Sequence, residues 1–196
     1  VNGEFSTWTS NNNTRARSAI LGNKVYLYYY AGYKIWNSNL KKFVFPFYSH
    51  DLITHEEIQL SGPEDMINGY NGEGFTIGDK IYFPTTSSSY NNYVYDRYFT
   101  PETLVKIHVY DTKTDTWEYI VSSELTFVTK LTVVIGNLAY MICPHAGGGA
   151  LYTYDPIKDK LTKTNVTVSR ATELSGICVY KNNIYIVGGR PNEYTY

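Results

Sequence analysis

The histidines and carboxylates around residue 50 are the first groups in this chain that could do chemistry. His50 and His55 flank Asp51, and Glu56 and Glu57 follow directly. Imidazole and carboxylate groups at this spacing can offer nitrogen and oxygen ligands to a metal ion. A stable site needs a second convergent pair of ligands, and the sequence offers none nearby. We therefore predict that these side chains lie on the solvated surface, and that the chain holds no metal or other cofactor.

Other catalytic groups are equally sparse. The carboxylates Glu64 and Asp65, like Glu56 and Glu57, are adjacent within a loop, which is typical of solvated charge rather than of a glycosidase pair. The glycine run at 147–149 lies between strands and does not open a helix, so it does not form a phosphate cradle. We predict no catalytic residue and expect that the chain is not an enzyme.

A short sequence motif that occurs four times indicates the strands that must position any site. Residues 21–27 read Leu-Gly-Asn-Lys-Val-Tyr-Leu, and residues 77–83, 135–141 and 180–186 repeat the pattern. Each copy places Gly-Asn, Gly-Asp or Asn-Asn between two apolar runs, as a two-residue hairpin requires. Both central residues of a type I′ turn have positive φ, which Gly, Asn and Asp tolerate best. Four hairpins of one design predict a repeated β unit.

A second apolar pair follows the hairpins. Residues 107–111 and 116–119 flank a polar turn, residues 151–156 and 161–162 flank its equivalent, and residues 33–37 with 41–45 form a weaker copy. Each unit therefore has four short strands, named a to d along the chain. The units cover approximately 14–46, 72–120, 129–164, and 173–196 together with 1–9. Four-stranded units at this spacing predict an all-β chain that forms one β-propeller domain of four blades.

The units resemble kelch repeats. Residues 184–189, Ile-Tyr-Ile-Val-Gly-Gly, resemble the double-glycine signature of that family. Tyr110 and Trp117 match its later aromatic positions, and Arg17 and Arg170 stand where kelch repeats often carry arginine. Only the last unit has the clean glycine pair. The resemblance covers essentially the whole chain and implies a kelch-like β-propeller.

The same resemblance implies one alternative activity. Kelch-like folds include copper radical oxidases, whose site needs clustered Tyr and His with a crosslinked Cys. Cys143 and His145 could mimic one fragment of that site, but the remaining copper ligands cannot be assigned. A carbohydrate-active or copper-oxidase-like propeller enzyme therefore remains an alternative.

The two ends of the sequence complement one another. Residues 1–9 are typical of a d strand without its c strand, and residues 193–196 are typical of a c strand without its d strand. If they pair, the N- and C-terminal strands complete one blade of a closed four-bladed ring. Two alternatives stay open: a fragment of a larger propeller, or a filament in which Tyr196 of one chain pairs with Val1 of the next.

Long loops gather on one side of the predicted propeller. Neighbouring strands alternate in direction, so the b–c and d–a loops emerge on one face and the a–b and c–d turns on the other. Insertions at 47–71, with a possible helix cap at Thr54 and Glu57, and at 84–101 fall on the first face. Tyr and Arg dominate binding hot spots, although the alternative is that they fix blade to blade. The predicted binding residues are Tyr90, Tyr93, Tyr95, Arg97, Tyr98, His145, Arg190, Arg17 and Arg170.

The apolar positions of the strands predict the core. The buried centre of the blades is expected to include Val25, Leu27, Ile81, Phe83, Ala139, Met141, Ile184 and Ile186. The equivalent d-strand positions, expected to pack blade against blade, are Trp8, Phe43, Trp117 and Leu161.

Charge and composition limit the classes of partner that we expect. The formal net charge of −1 gives no electrostatic reason to expect nucleic acid or an anionic membrane, and no apolar run is long enough for membrane insertion. The 21 tyrosines, with much Ser, Thr and Asn, lean toward a secreted protein and leave the cytoplasm open. Cys143 and Cys178 are expected to be reduced, buried thiols. Asn12 and Asn165 begin glycosylation sequons, so a glycan is an open possibility.

These observations favour a non-enzymatic protein-interaction or assembly module. The expected partner is another protein or a second copy of the chain, bound on the face formed by the b–c and d–a loops. A subunit of an extracellular filament, built by strand exchange, is the first alternative.

Overall fold

The computed structural model describes residues 16–29, 34–38, 40–63, 74–86, 105–125, 129, 131–145, 148–168 and 175–188. Within these ranges the side chains at 16, 86, 143–145, 148 and 175 are not described. The described residues form strands and turns, and no helix among them is long and apolar enough to cross a membrane.

Sixteen strands occur in the described ranges. In chain order they are β1 (Ala16–Leu21), β2 (Lys24–Tyr29), β3 (Ile35–Asn37), β4 (Lys42–Val44), β5 (Phe47–Asp51), β6 (Glu57–Gln59), β7 (Phe75–Ile77), β8 (Lys80–Thr86), β9 (Val105–Asp111), β10 (Thr116–Ser122), β11 (Thr132–Ile135), β12 (Leu138–His145), β13 (Gly148–Asp155), β14 (Lys160–Val168), β15 (Ser175–Tyr180) and β16 (Asn183–Gly188).

The strands form the blades of a β-propeller. Three four-stranded antiparallel sheets have the orders β1-β2-β5-β6, β7-β8-β9-β10 and β11-β12-β13-β14, and we name them blades one to three. The pair β15-β16 is the described part of blade four. The first strands lie side by side in the order β1, β7, β11, β15, so each sheet radiates outward from an inner strand. This arrangement confirms the all-β propeller fold. The expected outer strands of blade four, at 193–196 and 1–9, lie outside the described residues.

The tight hairpins predicted between strands a and b are present, with a different turn type. Gly22, Gly78 and Gly136 have φ between +59° and +62°. The Asn or Asp after each of them is not among the described residues with positive φ, which is the pattern of a type II′ turn. In blade four the turn residues are Lys181 and Asn182, both with positive φ as a type I′ turn requires, and not the predicted Asn182 and Asn183, because Asn183 pairs with Tyr180 in the strands. The prediction of type I′ turns throughout is therefore wrong for three blades.

Blade one differs from its prediction in its outer half. Residues 35–44, expected to supply strands c and d, pair only with each other as the β3-β4 hairpin. Strands c and d are β5 and β6, which lie in the segment interpreted as an insertion. Asp51 accepts hydrogen bonds from the amides of Ile53 and Thr54 and holds a tight turn, so no helix begins at Thr54. Blade one thus runs from residue 16 to 59 and not to 46.

The core lies between successive blades. Each blade has a forward face toward the next blade and a backward face toward the preceding one. The forward face of blade one packs on the backward face of blade two through one aromatic cluster, and a second cluster joins blades two and three. The main members of the first cluster are Ala19, Tyr26, Tyr28, Phe47, Ile81, Phe83 and Tyr110. Those of the second include Phe75, Tyr82, Val109, Ala139, Met141 and Tyr154.

The predicted core is confirmed in blades two and three only. Ile81, Phe83 and Ala139 are fully buried, and Met141 is 1% exposed. Trp117 and Leu161 pack between blades as expected. In blade one the alternate residues Tyr26 and Tyr28 are buried, whereas the predicted Val25 and Leu27 are half-buried. Ile184 and Ile186 are half-buried against blade three, and Phe43 is 60% exposed. Trp8 lies outside the described residues.

A polar latch fastens each of the first two junctions. Asp159 in the c–d turn of blade three accepts hydrogen bonds from Ser122 and Ser123, where strand d of blade two ends. Asp115 occupies the same position in blade two and accepts bonds from the backbone and hydroxyl of Ser61, which follows blade one. The two carboxylates therefore tie each blade to the one before it.

Candidate functional site

Most of the predicted binding residues lie outside the described part of the chain. These are Tyr90, Tyr93, Tyr95, Arg97, Tyr98, Arg170 and Arg190, together with the sequon residue Asn12. His145 ends β12, but its side chain is not described. Arg17 lies in β1 opposite Tyr28, and its side chain is half-buried. Asn165 is exposed on β14. The tyrosine-rich loop remains a prediction.

The same face carries a feature that the sequence interpretation missed. The β3-β4 hairpin belongs to the connection between strands b and c of blade one, so it emerges on the face of the b–c and d–a loops. Its two strands pair through the opposite residues Trp36 and Phe43. The hairpin adds no strand to any described blade, so its side chains can contact a partner without disturbing a blade.

An aromatic pair stands at the surface of this hairpin. The ring centroids of Trp36 and Phe43 are 5.2 Å apart, and the rings meet edge to face. Trp36 is 54% exposed and Phe43 is 60% exposed, and Leu40 in the connecting turn is also exposed. Cross-strand aromatic pairs stabilise a short hairpin, because their rings cover one another. The pair therefore presents a contiguous apolar surface of fixed geometry.

The base of the hairpin is anchored in the protein. Val44 is fully buried, and Phe45 belongs to the core between blades one and two. The amide of Phe45 donates a hydrogen bond to the carbonyl of Pro63 at 3.1 Å, and the amide of Tyr29 donates to that of Pro46 at 3.0 Å. Because one end is held by the core and by the d–a connection, the exposed pair has little freedom to move with respect to the blade.

A small polar groove lies beside the indole. It has a volume of about 220 Å³ and is lined by Trp36, Asn37, Ser38 and Gln59. Asn37 is buried, and its side-chain oxygen accepts a hydrogen bond from the amide of Leu40. None of these four side chains carries a charge. The groove can therefore accept hydrogen bonds from a neutral ligand and donate to it, next to an aromatic wall.

The candidate metal ligands do not converge. His50 is half-buried, His55, Glu56 and Glu57 are exposed, and the two imidazole rings stand 6.1 Å apart. In the described ranges no three His, Cys, Asp or Glu side chains could hold one ion. His108 is buried in β9. Cys178 is a free thiol on the surface, so the expectation that it is buried is wrong.

Two tyrosines of the latches have strongly raised pKa values. Burial first, and then the hydrogen bond to Asp159, raises the pKa of Tyr154 far above its ordinary value. The pKa of Tyr110 is raised in the same way, by burial and by Asp115. Both hydroxyls therefore stay neutral donors at physiological pH. These pKa shifts arise from burial and hydrogen bonding within the latches, and neither tyrosine belongs to the β3-β4 hairpin.

A signal for the hairpin site was present in the sequence. Residues 50–55 repeat the spacing of the c–d turns of the other blades, since Asp51 corresponds to Asp111 and Asp155. Aligning these three turns assigns residues 47–59 to strands c and d of blade one. Residues 35–44 are then not part of the blade and can form an extra hairpin. His50 stands where the other two blades have tyrosine, which concealed the match.

Comparisons with known proteins show distant likeness only. No family model matches the chain, and no curated protein matches it. One similar solved structure is the β-propeller domain of the Trilobed protease from Pyrococcus furiosus, with 11% identity, a TM-score of 0.35, and coverage of 89% of this chain and 49% of that one. Another is the acylaminoacyl peptidase of Pyrococcus horikoshii, with 10% identity, a TM-score of 0.40, and coverage of 92% and 36%. The chain thus spans about half of the first structure and about a third of the second.

Proposed function

We propose that this chain is a non-enzymatic protein-interaction module of kelch-like design. It binds an extended, uncharged segment of a partner protein on the face of the b–c and d–a loops. The observation that carries this proposal is the exposed and anchored aromatic pair of Trp36 and Phe43. Among the described strands β3 and β4 pair only with each other, so no described blade uses these two side chains in its core.

The physical support begins with the exposed rings. Each keeps more than half of its surface in water, and burying a large apolar side chain contributes about 1.5–3 kcal/mol. Tryptophan is enriched among the residues that dominate binding energy at interfaces. The anchored base of the hairpin means that little conformational freedom is lost when a partner binds, so more of this energy appears as affinity.

The groove beside Trp36 indicates what kind of partner fits. Its volume of about 220 Å³ is below the 300–1,000 Å³ of typical small-molecule pockets, so it suits one side chain or a short backbone segment. Its uncharged amide and hydroxyl groups match peptide groups and not a phosphate or carboxylate. The small net charge of the chain also provides no field for a polyanionic partner.

A peptide-display experiment tests the proposal. Peptides selected from a random library on the intact chain should be uncharged and should bind with micromolar affinity by fluorescence polarisation. Trp36→Ala should weaken their binding at least tenfold, and Phe43→Ala should weaken it to a similar degree. Tyr119→Ala is the matched control, because Tyr119 is also a largely exposed aromatic but lies on the outer strand β10.

Thermal unfolding separates binding from folding. The two hairpin variants should unfold within a few degrees of the unsubstituted chain, because their rings lie outside the blade core. Selection of no peptide, or of peptides whose affinity is unchanged by Trp36→Ala, would contradict the proposal. Binding of oligosaccharides in place of peptides by the same residues would contradict it as well and would favour a glycan-binding module.

A further inference from the structure

The outer edge of blade one lies beside the β3-β4 hairpin. β6 is the last strand of its sheet, and among the described strands only β5 pairs with it. Its three residues, Glu57, Ile58 and Gln59, are all exposed. Gln59 also lines the groove beside Trp36, so the edge of the sheet adjoins the exposed aromatic pair.

The hydrogen bonds between β5 and β6 show which backbone groups of β6 face outward. The amide of Leu60 donates to the carbonyl of Phe47 at 2.9 Å, and the amide of Asp51 donates to the carbonyl of Glu56 at 2.9 Å. In the register of these strands each donor lies directly opposite its acceptor residue. Because hydrogen-bonded pairs alternate along an antiparallel ladder, the pair midway between them, at Ile58, is also bonded to β5.

Glu57 and Gln59 face the other way. They lie opposite His50 and Tyr48, in the non-bonded positions of the ladder. The N–H and C=O groups of both residues therefore point away from β5, toward the outer side of the sheet. Two residues spaced in this way offer two donors and two acceptors, which is what an edge strand presents to a further chain.

We infer that the partner segment binds as an added strand along β6, so that blade one gains a fifth strand. This inference rests on the proposed function and specifies how the extended, uncharged segment is held. Its backbone pairs with Glu57 and Gln59, and its continuation enters the groove and packs on Trp36. In strand addition the main-chain hydrogen bonds supply affinity and the side-chain contacts supply specificity.

The hairpin is what distinguishes this edge from the others. β10 and β14 are the outer strands of blades two and three, with seven and nine residues, and no described hairpin stands beside them. β6 has only three residues, and such short edges alone are poor templates for unselective pairing. Binding at β6 therefore needs both the edge and the aromatic pair, which restricts it to segments that can use the two together.

Proline substitutions test the inference by fluorescence polarisation, with the peptides selected on the intact chain. Gln59→Pro removes an outward N–H and no bond to β5, which an edge strand tolerates. It should bind the peptides about tenfold or more weakly than Gln59→Ala, which loses the same side chain but keeps the N–H. Tyr119→Pro is the matched control, because Tyr119 has the place on β10 that Gln59 has on β6. It should bind like the unsubstituted chain.

N-methylated peptides give an independent measurement on the unsubstituted chain. Only every second residue of an added strand bonds to its neighbour. Methyl groups on one alternate set of peptide amides should therefore abolish binding, and methyl groups on the other set should leave the affinity nearly unchanged. Urea unfolding checks the direction of the β6 amides. Ile58→Pro removes a bond to β5 and should lower the urea midpoint far more than Gln59→Pro.

The outcomes separate this inference from the proposed function. If binding depends on Trp36 but is equal for Gln59→Pro and Gln59→Ala, or equal for the two methylated sets, strand addition is overturned and the proposed function stands. Equal losses of stability in Gln59→Pro and Ile58→Pro would also overturn strand addition, because the Gln59 amide would then face β5. Selection of no peptide, or binding unchanged by Trp36→Ala, would overturn both.

Discussion

The hydroxyl of Tyr154 donates a hydrogen bond to the carboxylate of Asp159 at 2.7 Å. The same carboxylate receives the amide of Ser123 at 2.7 Å and the hydroxyl of Ser123 at 2.8 Å. Tyr154 and Asp159 belong to one blade and the serine to the blade before it, so a single acceptor joins two blades. The corresponding tyrosine of blade two, Tyr110, donates to Asp115 at 2.8 Å.

Removing the latch acceptor should destabilise the fold. Asp159→Ala leaves the hydroxyl of buried Tyr154 without its acceptor, which costs about 1–3 kcal/mol. Tyr154→Phe removes the donor together with its need for a partner, so a loss of about 1 kcal/mol is expected. Urea unfolding measures both values. A change below about 0.5 kcal/mol for Asp159→Ala, the range of ordinary surface substitutions, would show that the latch contributes nothing.

The latch predicts a loss of stability in acid. Burial raises the pKa of Asp159, but hydrogen bonds from Ser122, Ser123 and Tyr154 outweigh it and lower the pKa to about 2. A carboxyl group whose pKa is lowered by folding stabilises the protein above its unfolded pKa, near 3.9, and loses that contribution as pH falls toward its folded pKa. The urea midpoint should therefore fall between pH 4 and pH 2. The control Asp159→Asn should lose less over this range, and an identical loss would assign the effect to other carboxylates.

The glycine of the second hairpin turn should resist substitution for a backbone reason. Gly78 has a φ of +59°, and a Cβ added there would meet nothing within 4 Å. The cost of Gly78→Ala is therefore the backbone strain of a positive φ alone, about 1–3 kcal/mol. Gly176→Ala is the control, because that residue lies in a strand and its nearest neighbour would be 3.9 Å away. Equal unfolding free energies for the two variants would contradict the turn assignment.

The glycine under the β3-β4 hairpin should be essential for a steric reason. A Cβ at Gly62 would lie 1.8 Å from the carbonyl oxygen of Phe45, which is backbone and cannot turn away. Gly62→Ala should therefore cost about 3 kcal/mol or more and displace the base of the hairpin. Peptide binding at Trp36 should be lost together with stability, as measured by polarisation and urea unfolding. Normal binding would show that the hairpin does not need its anchor.

The fold could be predicted because its signal is local. The turns at Gly22, Gly78 and Gly136 fix where strand a ends and strand b begins, and each supplies its own hairpin without reference to distant residues. Repetition then implies stacked sheets, since one hairpin cannot bury its apolar side chains alone. The buried positions of blades two and three followed from alternation for the same reason.

The errors in blade one arose because two segments, 35–44 and 47–59, both have the sequence pattern of strands c and d. Residues 35–44 alternate apolar and polar side chains as a blade strand does, and the pairing of Phe47–Asp51 with β2 is a long-range choice that periodicity does not decide. Periodicity also does not specify which side of a strand has a neighbouring blade. Tyr26 and Tyr28 face blade two and are buried there, whereas Val25 and Leu27 lie on the opposite face of β2 and are half-buried.

The binding residues were less predictable than the fold. Side chains in a loop have no periodic constraint, so the choice of Tyr90 to Tyr98 rested on composition and loop length and remains a prediction. Trp36 and Phe43 were assigned to a blade because residues 33–37 and 41–45 form a weaker copy of the second apolar pair. The pairing of β3 with β4, apart from the described blades, identifies them as surface groups.

The position of the latch also bears on how such a protein can change in length by gene duplication. The carboxylate sits within a repeat, and the serine that it holds sits at the exit of the repeat before it. A duplicated segment whose boundaries lie between strand d and the next strand a contains both partners of the latch. The serine follows its strand d, and the aspartate lies in its c–d turn. An inserted copy would thus join its new neighbours on both sides without any compensating substitution, whereas a cut through the c–d turn would separate the tyrosine from its aspartate.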